Sequence, residues 1–152
     1  MYCKFIKLNE KAIEPRYGSS FAAGADLFSV EDVRVPMGET VFVHTGIAIE
    51  PDRDCVILLF ARSGLACKKG LCLANGVGVV DYDYRGEIIV ALHNDGSHGD
   101  QRINAGDRIA QMMFVNYMQS AFIETDSLNG TQRGEGGFGG GSFGGGGAHG
   151  RF

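Results

Sequence analysis

The sequence predicts an all-β fold, a barrel or sandwich, from three observations. Short runs rich in Val, Ile, Leu and Phe recur along the chain, turn clusters separate them, and almost nothing has helical periodicity. The expected strands are Cys3 to Leu8, Val41 to Ile49, Cys55 to Ala61, Gly78 to Val80, Glu87 to Leu92 and Arg108 to Val115. In the second of these the odd positions are mostly apolar or β-branched, the period-two alternation of a half-buried strand. Clusters such as Glu50-Pro51-Asp52 and Asn104-Ala105-Gly106-Asp107 supply turns. Only Ser63 to Lys69 has room for a turn or two of helix.

A chain of 152 residues, 44% hydrophobic and 21% charged, has the size and make-up of one globular domain with a sizeable core. Its net charge of −4 excludes a basic field for sequence-independent binding to nucleic acid. A polyanionic ligand must then be met by a few local cations and backbone amides. No apolar run approaches the roughly 18 residues of a membrane span, and none follows Met1, so the chain reads as soluble, intracellular and cytoplasmic. Cys3, Cys55, Cys67 and Cys72 lack zinc-ligand spacing and read as reduced, mostly buried thiols. The histidines are scattered. His93 and His98 flank an Asn94-Asp95-Gly96-Ser97 turn and read as part of a solvated loop.

Composition changes at Gly130. The last 23 residues hold half of the 24 glycines, and Phe138, Phe143 and Phe152 are their only large apolar side chains. Such a segment buries too little apolar area to offset its ordering entropy. The expected organisation is therefore a domain over residues 1–129 and a flexible Gly-rich arm over residues 130–152. In that arm Arg133 to Gly139 is expected to order over a bound ligand, its glycines bringing backbone amides close to phosphate.

Residues Asn75 to Glu87 carry the most chemistry. A short apolar run, Val77 to Val80, ends at Asp81, Tyr84 comes three places later, and Asn75-Gly76 and Arg85-Gly86 are turn signals on either side. The pattern predicts a small β-hairpin whose backbone reads a flat polar edge and whose tip sets a carboxylate beside a ring. That suits a nucleoside: amides for the base, Tyr84 under the sugar, Asp81 to polarise a water. Asn75 offers both a donor and an acceptor, which a side chain needs to tell a carbonyl from an amino group. Spacing alone leaves Asp81 equally readable as a turn cap and Tyr84 as a core residue. Strand alternation puts Asp83 on the opposite face.

This stretch resembles the third of five signature motifs of the trimeric dUTPase family, enzymes that split dUTP into dUMP and pyrophosphate. The other four occur in the family's order. They are Ala23-Gly24-Ala25-Asp26-Leu27-Phe28-Ser29, Ala61-Arg62-Ser63-Gly64-Leu65-Ala66, Gly106-Asp107-Arg108-Ile109-Ala110-Gln111 and Arg133-Gly134-Glu135-Gly136-Gly137-Phe138-Gly139. The resemblance implies a jelly-roll-like β-barrel, in agreement with the strand pattern. It implies that Asp81 is the general base that activates water for attack on the α-phosphate. It also implies that Tyr84 packs against C2′ of the sugar and rejects a 2′-hydroxyl, and that the backbone of Gly78 and Val79 completes the uracil edge with Asn75. Arg62, Ser63 and Gly64 would contact the phosphates, Gln111 a phosphate or the attacking water, and Asp26 a metal ion through water. Arg133 would clamp the γ-phosphate, Phe138 would stack over uracil, and Gly139 would complete that motif.

Mg²⁺ is implied by triphosphate chemistry as well as by the family, since it chelates phosphates and keeps several of its waters. The family's sites are shared among subunits, which implies a homotrimer; the net charge and the short apolar runs give no nucleic-acid or membrane partner. The implied role is to keep uracil out of DNA and to supply dUMP for thymidylate synthesis. One departure stands out: Gly140-Gly141 replaces the family's Ser-Thr pair, with Ser142 one place late. Two rival readings are weighed. A dCTP deaminase shares the fold, but its chemistry wants a glutamate near the base, and only Glu87 is close. A non-catalytic binding or regulatory protein of the same fold would have no need of Asp81.

Overall fold

The computed structural model describes residues 1–136, and the chain divides into two units, Met1–Met118 and Gln119–Phe152. The first unit is all-β, as predicted. Its strands are β1 (Cys3–Lys7), β2 (Arg16–Tyr17), β3 (Ala25–Phe28), β4 (Val33–Val35), β5 (Thr40–His44), β6 (Ile47–Pro51) and β7 (Val56–Phe60). After the short helix α1 (Ser63–Lys69) come β8 (Leu71–Leu73), β9 (Gly78–Val80), β10 (Ile89–Asn94), β11 (Gln101–Ile103) and β12 (Arg108–Val115). The strands that the sequence pattern does not reveal, β2, β3, β4, β8 and β11, have four residues or fewer, too few for alternation to register.

Every ladder is antiparallel. The largest sheet runs β2-β3-β12-β7-β9, a second runs β5-β10-β8, and β1-β6 and β11-β4 form two ribbons. One continuous core joins them. Ile57 and Leu59 of β7, Val90 and Leu92 of β10, and Met112 of β12 all point into it, together with Leu27, Ile47, Leu71 and Ile103. Each such aliphatic side chain contributes about 1.5–3 kcal/mol through its removal from water. Asn94 is also fully buried, and its amide donates to Val35 O at 2.9 Å and Gly99 O at 2.8 Å while accepting from Gly96 N–H at 3.0 Å. Its polar atoms are thus satisfied.

Two local expectations are corrected. The expected strand from Val41 to Ile49 breaks at Thr45-Gly46, and β5 and β6 join different sheets. Gly46 has φ +65, which favours glycine, and a β-carbon there would lie 2.9 Å from Ala12 Cβ and 3.0 Å from Val30 Cγ1. The Thr45 hydroxyl, fully buried, donates to Ile88 O at 2.6 Å and accepts from Ile47 N–H at 3.2 Å, so the corner has its own hydrogen bonds. The hairpin expected over Asn75 to Glu87 is not a two-stranded ladder. β9 pairs with β7, whereas β10 pairs with β5 and β8. A tertiary partner has displaced the local one.

Smaller expectations shift as well. Of the four free cysteines only Cys55 is buried, and Cys67 is exposed. His93 lies within β10, bonded to Thr40 Oγ1 at 3.0 Å, and is not a loop residue. The helix falls where expected, with Arg62 at its N-cap and Gly70 ending it in the left-handed region. In the second unit, Thr125 Oγ1 donates to Ser127 O at 2.6 Å, and residues 119–136 form neither strand nor helix.

Replacing Gly46 by Ala is expected to cost about 1–3 kcal/mol of stability, from the left-handed backbone and the crowded β-carbon. Urea unfolding of the two proteins measures it, and an unchanged midpoint would remove Thr45-Gly46 as a constrained corner.

Candidate active site

The sheet register brings three of the expected motifs together. β12 lies between β3 and β7, and Gln111 is the cross-strand partner of both Asp26 and Phe60. This placement depends on an irregularity. The register shifts between Arg108 and Ala110, and Ile109 and Ala110 are both buried in succession. Strict alternation from Ile109 would turn Gln111 into the core. The bulge instead turns it to the outer face beside Asp26. There its amide donates to Ala61 O at 3.0 Å. Gly24 packs closely on this side chain: a β-carbon there would lie 3.2 Å from Gln111 Cβ.

Asp26 is held by two cations. Arg62 Nε donates to Oδ1 at 2.8 Å and Arg108 Nη1 to Oδ2 at 3.4 Å, with the Asp26 side chain only 14% exposed. A carboxylate so placed keeps Arg62 from folding away and tempers the repulsion between two guanidiniums. Arg108 is the residue that the sequence does not single out. Its only signal is its position in the Gly-Asp-Arg stretch, since no spacing rule predicts a partner at Asp26. Ser63 and Gly64 open α1 on the surface, and the first helical bonds are donated by Leu65 and Ala66 to Arg62 O. The amides of Ser63 and Gly64 therefore stand ahead of the helical ladder. Ser63 is the first helical residue and not the N-cap, so it is free of a capping role. Asp107 serves the turn expected over Asn104 to Asp107: its carboxylate accepts from Asn104 N–H at 2.8 Å.

Asp81 and Tyr84 share a second locus. Both line a cleft of about 230 Å³ together with Val79, Val80, Glu87, Ile88 and Ile89. A turn links them, with Tyr84 N–H donating to Asp81 O at 3.1 Å. Because this is a turn, strand alternation does not govern Asp83, which is exposed and absent from the cleft lining. The Tyr84 ring is 46% exposed, so it is not a core tyrosine; its hydroxyl donates to Glu87 O at 3.1 Å and the ring lies over Gly86. Gly78 packs where a β-carbon would lie 2.9 Å from Leu59 Cβ, and Asn75 and Val79 are exposed. β9 is the last strand of its sheet, so one backbone edge of Gly78 to Val80 faces away from β7. An edge of this kind presents amides and carbonyls to a flat ligand.

The two loci do not meet within one chain. Val80, next to Asp81, pairs with Ile57 at one end of β7, while Arg62 comes just after the other end. The four steps of extended chain from Val56 to Phe60 separate those ends by about 13 Å. Arg133 belongs to the second unit, where its Nε donates to Gly136 O at 2.7 Å. Phe138 and Gly139, like Gly140-Gly141 and Ser142, lie outside the described residues. For a metal ion the donor set is sparse: no three His, Cys, Asp or Glu side chains cluster among the described residues. Each Asp26 oxygen accepts one guanidinium N–H and keeps a further acceptor site for water. That fits an ion brought by a phosphate ligand and touched through water, not a protein cage.

Comparison with known proteins is consistent across sequence and fold. The dUTPase family pattern matches residues 10–141. A deoxyuridine 5'-triphosphate nucleotidohydrolase of Desulfitobacterium hafniense is 48% identical over 138 residues, covering 89% of this chain and 91% of that protein. One from Nautilia profundicola is 42% identical over 139 residues, covering 91% and 97%. Among solved structures, the Staphylococcus bacteriophage 80alpha dUTPase with dUpNHpp superposes with a TM-score of 0.84 at 25% identity, covering 93% of this chain and 98% of that one. The dUTPase of phage phi11, described with a structural Mg(II) ion, shares the fold with a TM-score of 0.77 at 23% identity, covering 84% and 99%. The all-β architecture is thus the jelly-roll-like fold of these proteins. With the motifs of both loci in place on it, this chain belongs to the dUTPase family.

Proposed function

We propose that this protein is a dUTP diphosphatase that hydrolyses dUTP to dUMP and pyrophosphate in sites shared between subunits of a homotrimer. The observation that carries the reading is the division of the expected site between the two ends of β7, with anion-binding groups at one end and the Asp81–Tyr84 cleft at the other. Neither half suffices alone. A second copy that sets its cleft against Arg62, Ser63, Gly64 and Gln111 completes a nucleotide site, and cyclic symmetry repeats it.

In such a site Asn75 and the free edge of Gly78 and Val79 take the uracil ring, and Tyr84 lies under the deoxyribose. A 2′-hydroxyl buried there without a partner costs on the order of 1–3 kcal/mol, enough to reject most UTP. Asp81 accepts a proton from water as the water oxygen attacks the α-phosphorus. The bond to the bridging oxygen breaks, and pyrophosphate leaves with the electron pair. Arg62, Ser63 and Gln111 hold the phosphates in line, the geometry that such a displacement needs. Asp26 would hold a Mg²⁺ ion through water, and an ion bound with the triphosphate would neutralise phosphate charge. The arm, residues 130–152 beyond a domain of residues 1–129, brings Arg133 to the γ-phosphate, with Phe138 and Gly139 over the base. The product supplies dUMP for thymidylate synthesis and removes a precursor of uracil in DNA. A cytoplasmic location belongs to the same proposal; no helix among the described residues is long and apolar enough to cross a membrane. Against a deaminase, the Glu87 carboxylate is occupied by His44 Nδ1 at 2.9 Å and Gly46 N–H at 2.7 Å.

Incubation with Mg²⁺ and dUTP, dCTP, dTTP or UTP tests the activity directly: only dUTP is expected to yield its monophosphate and pyrophosphate, and ammonia from dCTP would overturn the assignment. Asp81→Asn is expected to retain nucleotide binding and lose about 10²–10⁴-fold in turnover. Wild-type-like turnover would remove Asp81 as the base. Refolding an equal mixture of Asp81→Asn and Arg62→Ala chains, each inactive alone, is expected to restore about a quarter of wild-type activity, because one site in four combines two intact halves. No recovery would mean that each site is built within one chain. Truncation after Gly130 is expected to lower turnover without changing the thermal melt, and an unchanged rate would strip the arm of its role.

A further inference from the structure

The Tyr84 ring is fixed by a chain of contacts that begins outside the expected motifs. Its hydroxyl donates to the Glu87 carbonyl at 3.1 Å. Glu87 is in turn clamped by its side chain, whose Oε2 meets His44 Nδ1 at 2.9 Å and whose Oε1 accepts Gly46 N–H at 2.7 Å. The next residue is locked to the same corner, with Ile88 N–H donating to Ile47 O at 2.8 Å and Ile88 O accepting from the Thr45 hydroxyl at 2.6 Å. Four bonds thus tie residues 87 and 88 to residues 44–47 around the corner, while Tyr84 has one bond to hold its hydroxyl. The lining of the Asp81–Tyr84 cleft also includes Glu87 itself.

We propose that Glu87 and His44 are positioning residues for sugar selection: their pair holds the Glu87 carbonyl under the Tyr84 hydroxyl and so sets the plane of the ring that excludes a 2′-hydroxyl. This rests on the dUTP diphosphatase reading and adds two residues to it. The pair has a charge switch. The bond to the Glu87 carboxylate raises the His44 imidazole above its ordinary value of 6.5, and the nearby Glu31 adds to the effect. Glu31 also accepts the His44 backbone N–H at 3.0 Å. The other charged groups around the adjoining cleft are Glu10 and Lys11 before β2 and Asp32 before β4. His44 pairs across the ladder with Ile89, which carries no charge. A raised imidazole pKa means that the charged pair is complete at low pH and is lost as pH rises through that raised value. Selection is therefore strongest on the acid side.

The test uses the full chain with Mg²⁺ and compares kcat/KM for dUTP and UTP between about pH 6 and pH 9. Taking the ratio of the two substrates cancels the pH dependence that both reactions share, that of the triphosphate included. The wild-type ratio is expected to fall with rising pH, and the ratio in His44→Gln to be flat. Glu87→Ala is expected to lower the ratio by about tenfold, the worth of one well-placed hydrogen bond. Tyr84→Phe should lower it similarly, and the double variant should be no worse than either single one. Should Glu87→Ala fail to fold, Glu87→Gln carries the test, because it keeps the shape and an acceptor for Gly46 while losing the charge; a fall of smaller size with loss of the pH dependence is expected. Selective dUTP turnover with an unchanged ratio in the His44 and Glu87 variants overturns this inference alone. A wild type without dUTP turnover removes the functional reading, and this inference with it.

Discussion

The antiparallel seating of β12 between β3 and β7 is the constraint on which the Asp26–Arg62–Gln111 half of the candidate site depends. Three segments far apart in the chain contribute Asp26, Arg62 and Gln111, and only this ladder makes them neighbours. Its register cannot slip, because a one-residue shift would bury Gln111 and expose Met112, which now packs in the core. The bulge at Arg108–Ala110 is part of the same arrangement. It lets the strand bury two consecutive residues and still present an amide on the outer face. Core packing and site geometry are thus set by the same backbone feature.

The corner at Thr45-Gly46 plays a corresponding part for the cleft. It ends β5, redirects the chain into another sheet, and exposes a backbone N–H and a histidine to the Glu87 side chain. The buried hydroxyl of Thr45 replaces ladder bonds that the break forfeits, as buried backbone groups require. The left-handed residue is glycine because three neighbouring side chains leave no room for a β-carbon. A polar contact at the surface is thereby anchored to the rigid interior, and the Tyr84 ring inherits that rigidity.

The legible parts of this chain were those with local signatures. Runs such as Val56–Phe60 and Arg108–Val115 are strands because their apolar density leaves no other way to bury them, and α1 was visible as the one stretch without β-type alternation or a turn. Asp81 and Tyr84 were legible as a pair, since a short turn keeps them together whatever the strands do. The hairpin was not. Local pattern favours pairing β9 with the next strand in the chain, yet β7 offers apolar partners at Leu59 and Ile57 and a close approach at Gly78. Likewise His93 borders a turn in sequence but lies within a ladder in space. Arg108 and His44 have partners distant in sequence, which no spacing rule reveals.

By itself the sequence determined the all-β class, the candidate residues and the family to which they point, because these arise from composition, short-range pattern and motif order. Tertiary structure alone decided which of those residues meet. It placed Asp26 between two guanidiniums, turned Gln111 outward, and set Asp81 at the opposite end of β7 from Arg62. The physical reason is that strand pairing is non-local. A ladder is chosen by the burial of both its faces and by the satisfaction of its backbone groups, and those quantities exist only once distant segments are in contact.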